Sequence, residues 1–234
     1  MVLDDNHPSI GKQPHTEAHV RIVEGDQRSG KTCYAVGYIK DTYDKDCVNI
    51  FCRDVLKIDC IVKSYDRKTR VARIKYNGEN KLIQIPISYE LISPLRIFSN
   101  IHLYGIPYVY IPSFTIMLKW LQQGVISNGW LLADEAHRGM SARGGMSKMG
   151  RAFVDEYFQF GKSLLDVILI THMSRLIDWT ARAIPTERIH CSYNEKTYKI
   201  TYSKKKRGEQ GTKEITFDAR QYFPYYETNE KVTA

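Results

Sequence analysis

The spacing of apolar and polar residues changes period several times along the chain, and each change predicts an element. His19-Val20-Arg21-Ile22-Val23-Glu24 alternates and runs into Gly25, which predicts a strand closed by a turn. Ala35, Val36 and Ile39 then share one helical face, so Gly30 to Tyr43 reads as a helix, followed by the short apolar run Val48-Asn49-Ile50-Phe51. From Ile58 the texture becomes two-fold. Ile58–Tyr65, Arg70–Tyr76 and Lys81–Ile87 alternate and are rich in β-branched residues, with turn residues at 66–68 and 77–80 between them. These predict a small β-rich insert at 55–94, an SH3-like barrel being one form it could take. The competing reading is an antiparallel extension of the main sheet.

After the insert, longer periods return. Ile97–Leu103 and Tyr108–Ile111 read as strands, and Ser113 is placed to cap a helix through Gln122. Trp130-Leu131-Leu132-Ala133 is a buried-strand run that ends in Asp134-Glu135. Residues 138–148 are rich in Gly, Ser, Met and Arg and read as a loop. Lys148–Lys162 reads as a helix with Phe153, Tyr157 and Phe158 turned inward. Val167–Ile170 is a short, wholly apolar strand, and Ser174 is expected to open another helix. Arg188–Tyr193 and Thr197–Ser203 read as strands, followed by a basic turn at Lys204–Arg207 and a tyrosine-rich tail. Strands that alternate with helices imply an α/β fold whose mostly parallel central sheet is covered on both faces.

Composition narrows the class. The chain has 234 residues, 43% hydrophobic and 26% charged, which suits one full core plus a small module and excludes a fibre or a wholly disordered chain. No stretch approaches the ~18–20 apolar residues of a membrane helix, and residues 1–13 are polar, unlike a secretory signal. The five cysteines, Cys33, Cys47, Cys52, Cys60 and Cys191, lack the spacing of a disulfide framework or a zinc knuckle, and read as buried or half-buried thiols. The 34 Lys and Arg against 26 Asp and Glu give a net charge of +8, which fits a polyanionic partner or simply a solvated surface.

Gly25-Asp26-Gln27-Arg28-Ser29-Gly30-Lys31-Thr32 fits the phosphate-binding pattern GxxxxGK[ST] in full. Its glycines let successive N–H groups point inward at phosphate oxygens, and the following helix adds its positive end, with Cys33 in its first turn. Lys31 would reach the β- and γ-phosphates of ATP, and the Thr32 hydroxyl would ligate Mg²⁺. The strand ending at Asp134-Glu135 supplies the expected second half. Asp134 would hold the Mg²⁺, and Glu135 would polarise the attacking water. The competing reading of Glu135 is an acid at a helix start. Asp134-Glu135-Ala136-His137 also spells the box of one helicase class, but such helicases carry two motor domains and this chain has room for one. His137 is either an ordinary loop residue or a coupling residue. Thr171 and His172 end the strand Val167–Ile170, and His172, with the longer reach, is a candidate γ-phosphate sensor. Arg138, Arg143 and Arg151 lie in an acid-free stretch between 137 and 151. They are candidate arginine fingers for a neighbouring subunit, or grips on nucleic-acid phosphates.

These pieces resemble the FtsK–HerA-type and zonula-occludens-toxin-like viral ATPases, which include filamentous-phage assembly ATPases and viral genome-packaging ATPases. The resemblance is carried by the phosphate loop, by Leu131-Leu132-Ala133-Asp134-Glu135-Ala136-His137, and by Leu165 to His172. Ser99-Asn100-Ile101 and Phe223-Pro224-Tyr225-Tyr226 are similar to the family's second strand and closing segment. It covers about residues 19–54 and 95–228, here taken as the ATPase domain, between a flexible lead at 1–18 and a tail at 229–234. His172 stands where the family usually has Gln, and the insert has no counterpart in it. The resemblance implies a RecA-like P-loop ATPase that uses ATP and Mg²⁺ to translocate double-stranded DNA, as a genome-packaging motor. It further implies a homo-oligomeric ring, a capsid or vertex protein as partner, and a place in the host cytoplasm or on the virion; the toxin-like assembly proteins carry a membrane helix after the domain, whereas no membrane span is expected here. The alternatives are an assembly or export ATPase or switch that does not translocate DNA, and a small-molecule kinase. The insert, with ten Lys and Arg against five acids over residues 53–96, is expected to dock DNA or a capsid partner, or to widen a subunit interface.

Overall fold

A computed structural model describes residues 19–139, 148–157, 159–160, 162–177, 183 and 185–227, with the side chains of 148–150 and 157 left aside. The described residues form two compact units, 19–37 with 96–227 and 38–95.

In the larger unit, strand β1 (Val20–Glu24) buries Val20, Ile22 and Val23 at the centre of an eight-stranded sheet. It lies between β8 (Leu165–Thr171) and β9 (Glu187–Asn194), parallel to both, in registers such as Ile22↔Leu169 and Val23↔Ile189. β7 (Gly129–Ala133) flanks β8, followed by β5 (Arg96–Ser99) and the two-residue β6 (Val109–Tyr110), all parallel. Beyond β9 the direction reverses. β10 (Lys199–Lys206) and β11 (Lys213–Asp218) complete the order β11-β10-β9-β1-β8-β7-β5-β6. Every residue of β8 is buried, as expected for a strand covered on both faces. Helix α2 (Phe114–Gln122) begins where expected, with the Ser113 hydroxyl accepting from the Ile116 N–H at 3.3 Å. Its Met117 and Leu121 join Phe153 of helix α3 (Lys148–Tyr157) and the apolar side of β7 and β8 in one core.

Helix α1 (Lys31–Asp54) runs eleven residues past the expected end at Tyr43, because no Gly or Pro occurs between Asp44 and Asp54 and Val48, Phe51 and Cys52 keep the helical spacing. That second half belongs to the smaller unit. There it packs against Val62, Ala72 and Ile74 of an antiparallel sheet built from β2 (Ile61–Asp66), β3 (Val71–Tyr76) and β4 (Glu79–Gln84), and against Ile85 just past β4. Among the described residues the three strands form an open sheet, not a closed SH3-like barrel. Asn77 (φ 51°) and Gly78 (φ 84°) form a two-residue turn of the kind that matches strand twist, so Glu79 and Asn80 belong to β4 rather than to the turn. Asp44 receives Lys40 Nζ at 2.8 Å and Arg67 Nε at 2.7 Å, which ties the β2–β3 turn to the helix.

Two expectations are corrected. Ser174 opens only a three-residue 3-10 turn, Ser174–Leu176, rather than a helix, and Tyr157 and Phe158 fall outside the described side chains. Lys204–Lys206 are not turn residues; they belong to strand β10. Lys204 Nζ lies 2.8 Å from Glu187, which also receives Arg21 Nε at 2.8 Å. Arg21 is 3% exposed in the middle of β1, with its guanidinium over the Trp130 ring. Burial alone would raise the Glu187 carboxyl, but the two cations beside it hold it below its ordinary value. A buried cation in the central strand is tolerated because its carboxylate stands one strand away.

Candidate nucleotide site

The phosphate loop joins β1 to α1. Its turn closes with Ser29 N–H donating to Asp26 O at 3.2 Å, and Arg28 (φ 61°) and Gly30 (φ 82°) both occupy the left-handed region. A Cβ at Gly25 (φ 153°) would lie 2.5 Å from Cys191 O and from Ser29 Oγ, and one at Gly30 would lie 2.5 Å from Ile200 Cδ1. The loop therefore requires glycine at both ends, for conformation and for space. Asp26, Gln27 and Arg28 are exposed on the loop, while Ser29 and Lys31 are buried. Lys31 Nζ bonds Gly25 O at 3.0 Å, Asp26 O at 2.5 Å and Ser29 Oγ at 3.3 Å. The first intrahelical bond runs from Tyr34 N–H to Gly30 O at 2.9 Å, so the helix start directs the N–H groups of Lys31, Thr32 and Cys33 out of its end. Only the Cys33 backbone is available to an anion. Burial pushes its thiol up to about 12, and Sγ turns inward to Ala219 O at 3.6 Å.

Because β8 separates β1 from β7, the tip of β7 stands across the loop, and residues 102 apart in sequence meet. Thr32 Oγ1 donates to Asp134 Oδ2 at 3.3 Å. Burial raises the Asp134 carboxyl above its ordinary value, and the adjacent Glu135 charge adds to this; the Glu135 N–H and the Thr32 hydroxyl oppose it. A hydroxyl and a carboxylate at this separation are the hard oxygen donors that suit Mg²⁺, which takes its other ligands from phosphates and water. Thr32 and Asp134 would hold such an ion.

Glu135 adopts φ 55°, ψ 35°, a left-handed conformation that turns its side chain away from that of Asp134 and toward the end of β8. Its carboxylate sits among Arg138 Nε at 3.0 Å, His172 Nε2 at 3.3 Å and His137 Nε2 at 3.4 Å. Burial lowers the affinity of His137 for a proton. A neutral His137 with its proton on Nε2 donates to Glu135, and its Nδ1 lies 3.4 Å from the Thr171 hydroxyl, which donates to Met173 O at 3.2 Å. His137, an ordinary loop or coupling residue by its sequence, and His172, the candidate sensor, both place their imidazoles on Glu135. The His172 carbonyl accepts from the Gly25 N–H at 3.3 Å, joining β8 to the loop. Glu24, Asp26, His172, Arg175 and His190 help line a cleft of about 320 Å³ at the carboxyl ends of β1 and β8 and beside the middle of β9, the side of such sheets where ligands bind. Of the three arginines, Arg138 contacts Glu135 of its own chain, Arg151 is exposed on α3, and Arg143 lies outside the described residues.

One residue escaped the sequence reading as a site residue. Asn100, at the carboxyl end of β5, donates from Nδ2 to Asp134 O at 2.9 Å and accepts the Asp134 N–H on Oδ1 at 2.7 Å. It grips both backbone groups of Asp134 and continues the ladder where β5 turns away. Its sequence signals are its position, a polar residue just past a buried strand, and the likeness of Ser99-Asn100-Ile101 to the family's second strand. Asn100→Ala is expected to lower nucleotide hydrolysis by roughly 10–100-fold, as loss of an outer partner of a metal ligand does, and to raise the Mg²⁺ concentration needed for half-maximal rate. A titration of rate against Mg²⁺ checks this; a fall in stability with an unmoved Mg²⁺ requirement would leave Asn100 a merely structural residue.

The loop, the strand order and the acid pair define the class: the fold is that of a RecA-like P-loop NTPase. The protein is similar to the N-terminal domain of zonular occludens toxin from Neisseria meningitidis, with 18% identity over 90% of this chain and 100% of that one, at a TM-score of 0.53. It is also similar to the genome packaging NTPase B204 of Sulfolobus turreted icosahedral virus 2, solved with ATP-gammaS, with 13% identity over 84% of this chain and 96% of that one, at a TM-score of 0.46. No protein-family model and no curated protein matches the sequence. Among the described residues no helix is long and apolar enough to cross a membrane.

Proposed function

We propose that this chain is an ATPase that moves duplex DNA, most simply to package a viral genome. One observation carries the hydrolytic part: Thr32 and Asp134 meet at 3.3 Å beside the phosphate loop, with Glu135 turned to the neighbouring strand end. In the proposed reaction the loop N–H groups and Lys31 bind and neutralise the β- and γ-phosphates. Thr32 and Asp134 supply oxygen ligands, and a bound Mg²⁺ would add charge neutralisation at the phosphates. Glu135 accepts a hydrogen bond from the attacking water and orients it toward the γ-phosphorus. His137 and His172 hold the Glu135 carboxylate from one side.

The motor part rests on the sequence resemblance and on the net charge of +8. It includes a homo-oligomeric ring, and a capsid or vertex protein where the ring would dock during packaging in the host cytoplasm or on the virion. Within such a ring Arg151 and Arg143 are the candidates to reach a neighbour's phosphates. Arg138 takes that role only by leaving Glu135.

The test is the ATPase rate with and without duplex DNA, with the mass in solution measured in parallel. Duplex-stimulated hydrolysis by a ring is the expected result. Hydrolysis indifferent to DNA would select the assembly or export ATPase instead, and phosphate transfer to a small acceptor would select a kinase.

A further inference from the structure

In the smaller unit one face of the β2–β3–β4 sheet is closed by α1, and no described residue covers the other. Strand alternation divides the residues, with one bulge between Val62 and Ser64 in β2. Val62, Ala72 and Ile74 point to the helix and are buried. The opposite positions line up in cross-strand rows: Ile61, Lys75 and Asn80; then Ser64, Arg73 and Leu82; then Asp66, Val71 and Gln84. Two properties of this outer face stand out. Leu82 is 69% exposed and Ile61 is 55% exposed, yet each sits in a row with a cation, Arg73 beside Leu82 and Lys75 beside Ile61. The face's one acid, Asp66, is occupied by its own turn, accepting from the Lys68 N–H at 2.9 Å and the Thr69 hydroxyl at 2.8 Å.

The cations of this unit also divide. Lys40 and Arg67 are bound to Asp44, Arg53 to Asp54 and Lys81 to Glu79. Arg73 and Lys75 on the outer face, with Lys68 and Arg70 in the adjoining β2–β3 turn, are exposed and have no ion partner among the described residues. An acid-poor face with unpaired cations attracts a polyanion. Branched apolar side chains on the outer strands, each beside a cation of the central strand, are the chemistry of sheet surfaces that enter a minor groove and wedge between base steps, while the cations hold nearby phosphates.

We propose that this outer face binds duplex DNA, with Arg73, Lys75, Lys68 and Arg70 on the backbone and Leu82 and Ile61 against the groove. The inference rests on the DNA reading above and names the surface that would carry it. None of these residues belongs to the phosphate loop or to the acid pair, so ATP hydrolysis without DNA is independent of them.

The experiment uses the full chain and a short duplex, with affinity measured across a salt series. The double variant Arg73→Ala/Lys75→Ala should bind about tenfold more weakly at moderate salt, and its log–log salt slope should be shallower by about two, one for each lost phosphate contact. Leu82→Ser should weaken binding several-fold and leave the slope unchanged, because it removes no charge. Both should keep the wild-type rate of ATP hydrolysis without DNA, which also reports that they are folded. If the wild type binds duplex and the double variant matches its affinity and slope, this face is not the DNA surface, while the motor reading stands. An unaltered affinity in Leu82→Ser overturns the groove contact. If the wild type binds no duplex at all, this inference and the DNA reading fall together.

Discussion

Lys31→Ala should abolish nucleotide hydrolysis while the protein stays folded. Lys31 is 7% exposed, and its ammonium is aimed along the inside of the loop at Gly25 O, Asp26 O and Ser29 Oγ. It is the cation built into the phosphate cradle, so its loss removes charge stabilisation where negative charge accumulates as the γ-phosphoryl is transferred. Removal of one such preorganised donor typically costs on the order of 10²–10³ in rate. A full positive charge at the β- and γ-phosphates should reach or exceed the upper end. ATP affinity should also fall, because charge-assisted hydrogen bonds to phosphate are among the stronger ground-state contacts. The measurement is steady-state ATPase activity with an equilibrium binding assay, and circular dichroism to establish the fold. Wild-type turnover in a folded Lys31→Ala protein would overturn the assignment of Gly25–Thr32 as the nucleotide site.

Glu135→Gln separates binding from chemistry. The amide keeps the size of the side chain and can still meet Arg138, His137 and His172, but it no longer carries the charge that accepts a proton from water. Turnover should fall by roughly 10²–10⁴-fold, the range for loss of a positioned general base. ATP affinity should be retained, because Lys31, the loop amides and the Thr32–Asp134 pair are untouched. Single-turnover hydrolysis beside a binding isotherm checks both halves. If turnover is unchanged, Glu135 serves as a turn residue that anchors the two histidines, and the water is oriented by another group.

Much of the fold was legible because its cues are local. The alternation through Val20–Glu24 and the apolar run of β8 report the period of a strand and its burial on both faces. Ser113 reports a helix start through the chemistry of one hydroxyl. Other elements were missed for equally physical reasons. The 3-10 turn at Ser174 begins with a good capping residue, but Glu24 takes the Ser174 N–H at 2.8 Å and ties the turn to the end of β1. Lys204–Lys206 look like solvated charge, yet one of them completes an ion cluster with Glu187 and Arg21, residues from two other strands. β11 has polar and charged residues at most positions, as an edge strand does, so its sequence carries little hydrophobic signal.

By itself the sequence determined the phosphate loop, the acid pair at the end of a buried strand, and the alternation of strands with helices. Each depends on residues that are neighbours along the chain, where spacing alone decides which groups lie together. Tertiary structure alone decided the rest. It placed β8 between β1 and β7, so that Asp134 reaches Thr32, and it brought Asn100 against both backbone groups of Asp134. It also surrounded Glu135 with His137, Arg138 and His172. These contacts join strands that are distant in sequence, and the period of a strand reports which face is buried but not which strand lies beside it. That choice is made only when the whole sheet closes its hydrogen bonds and buries its two faces together.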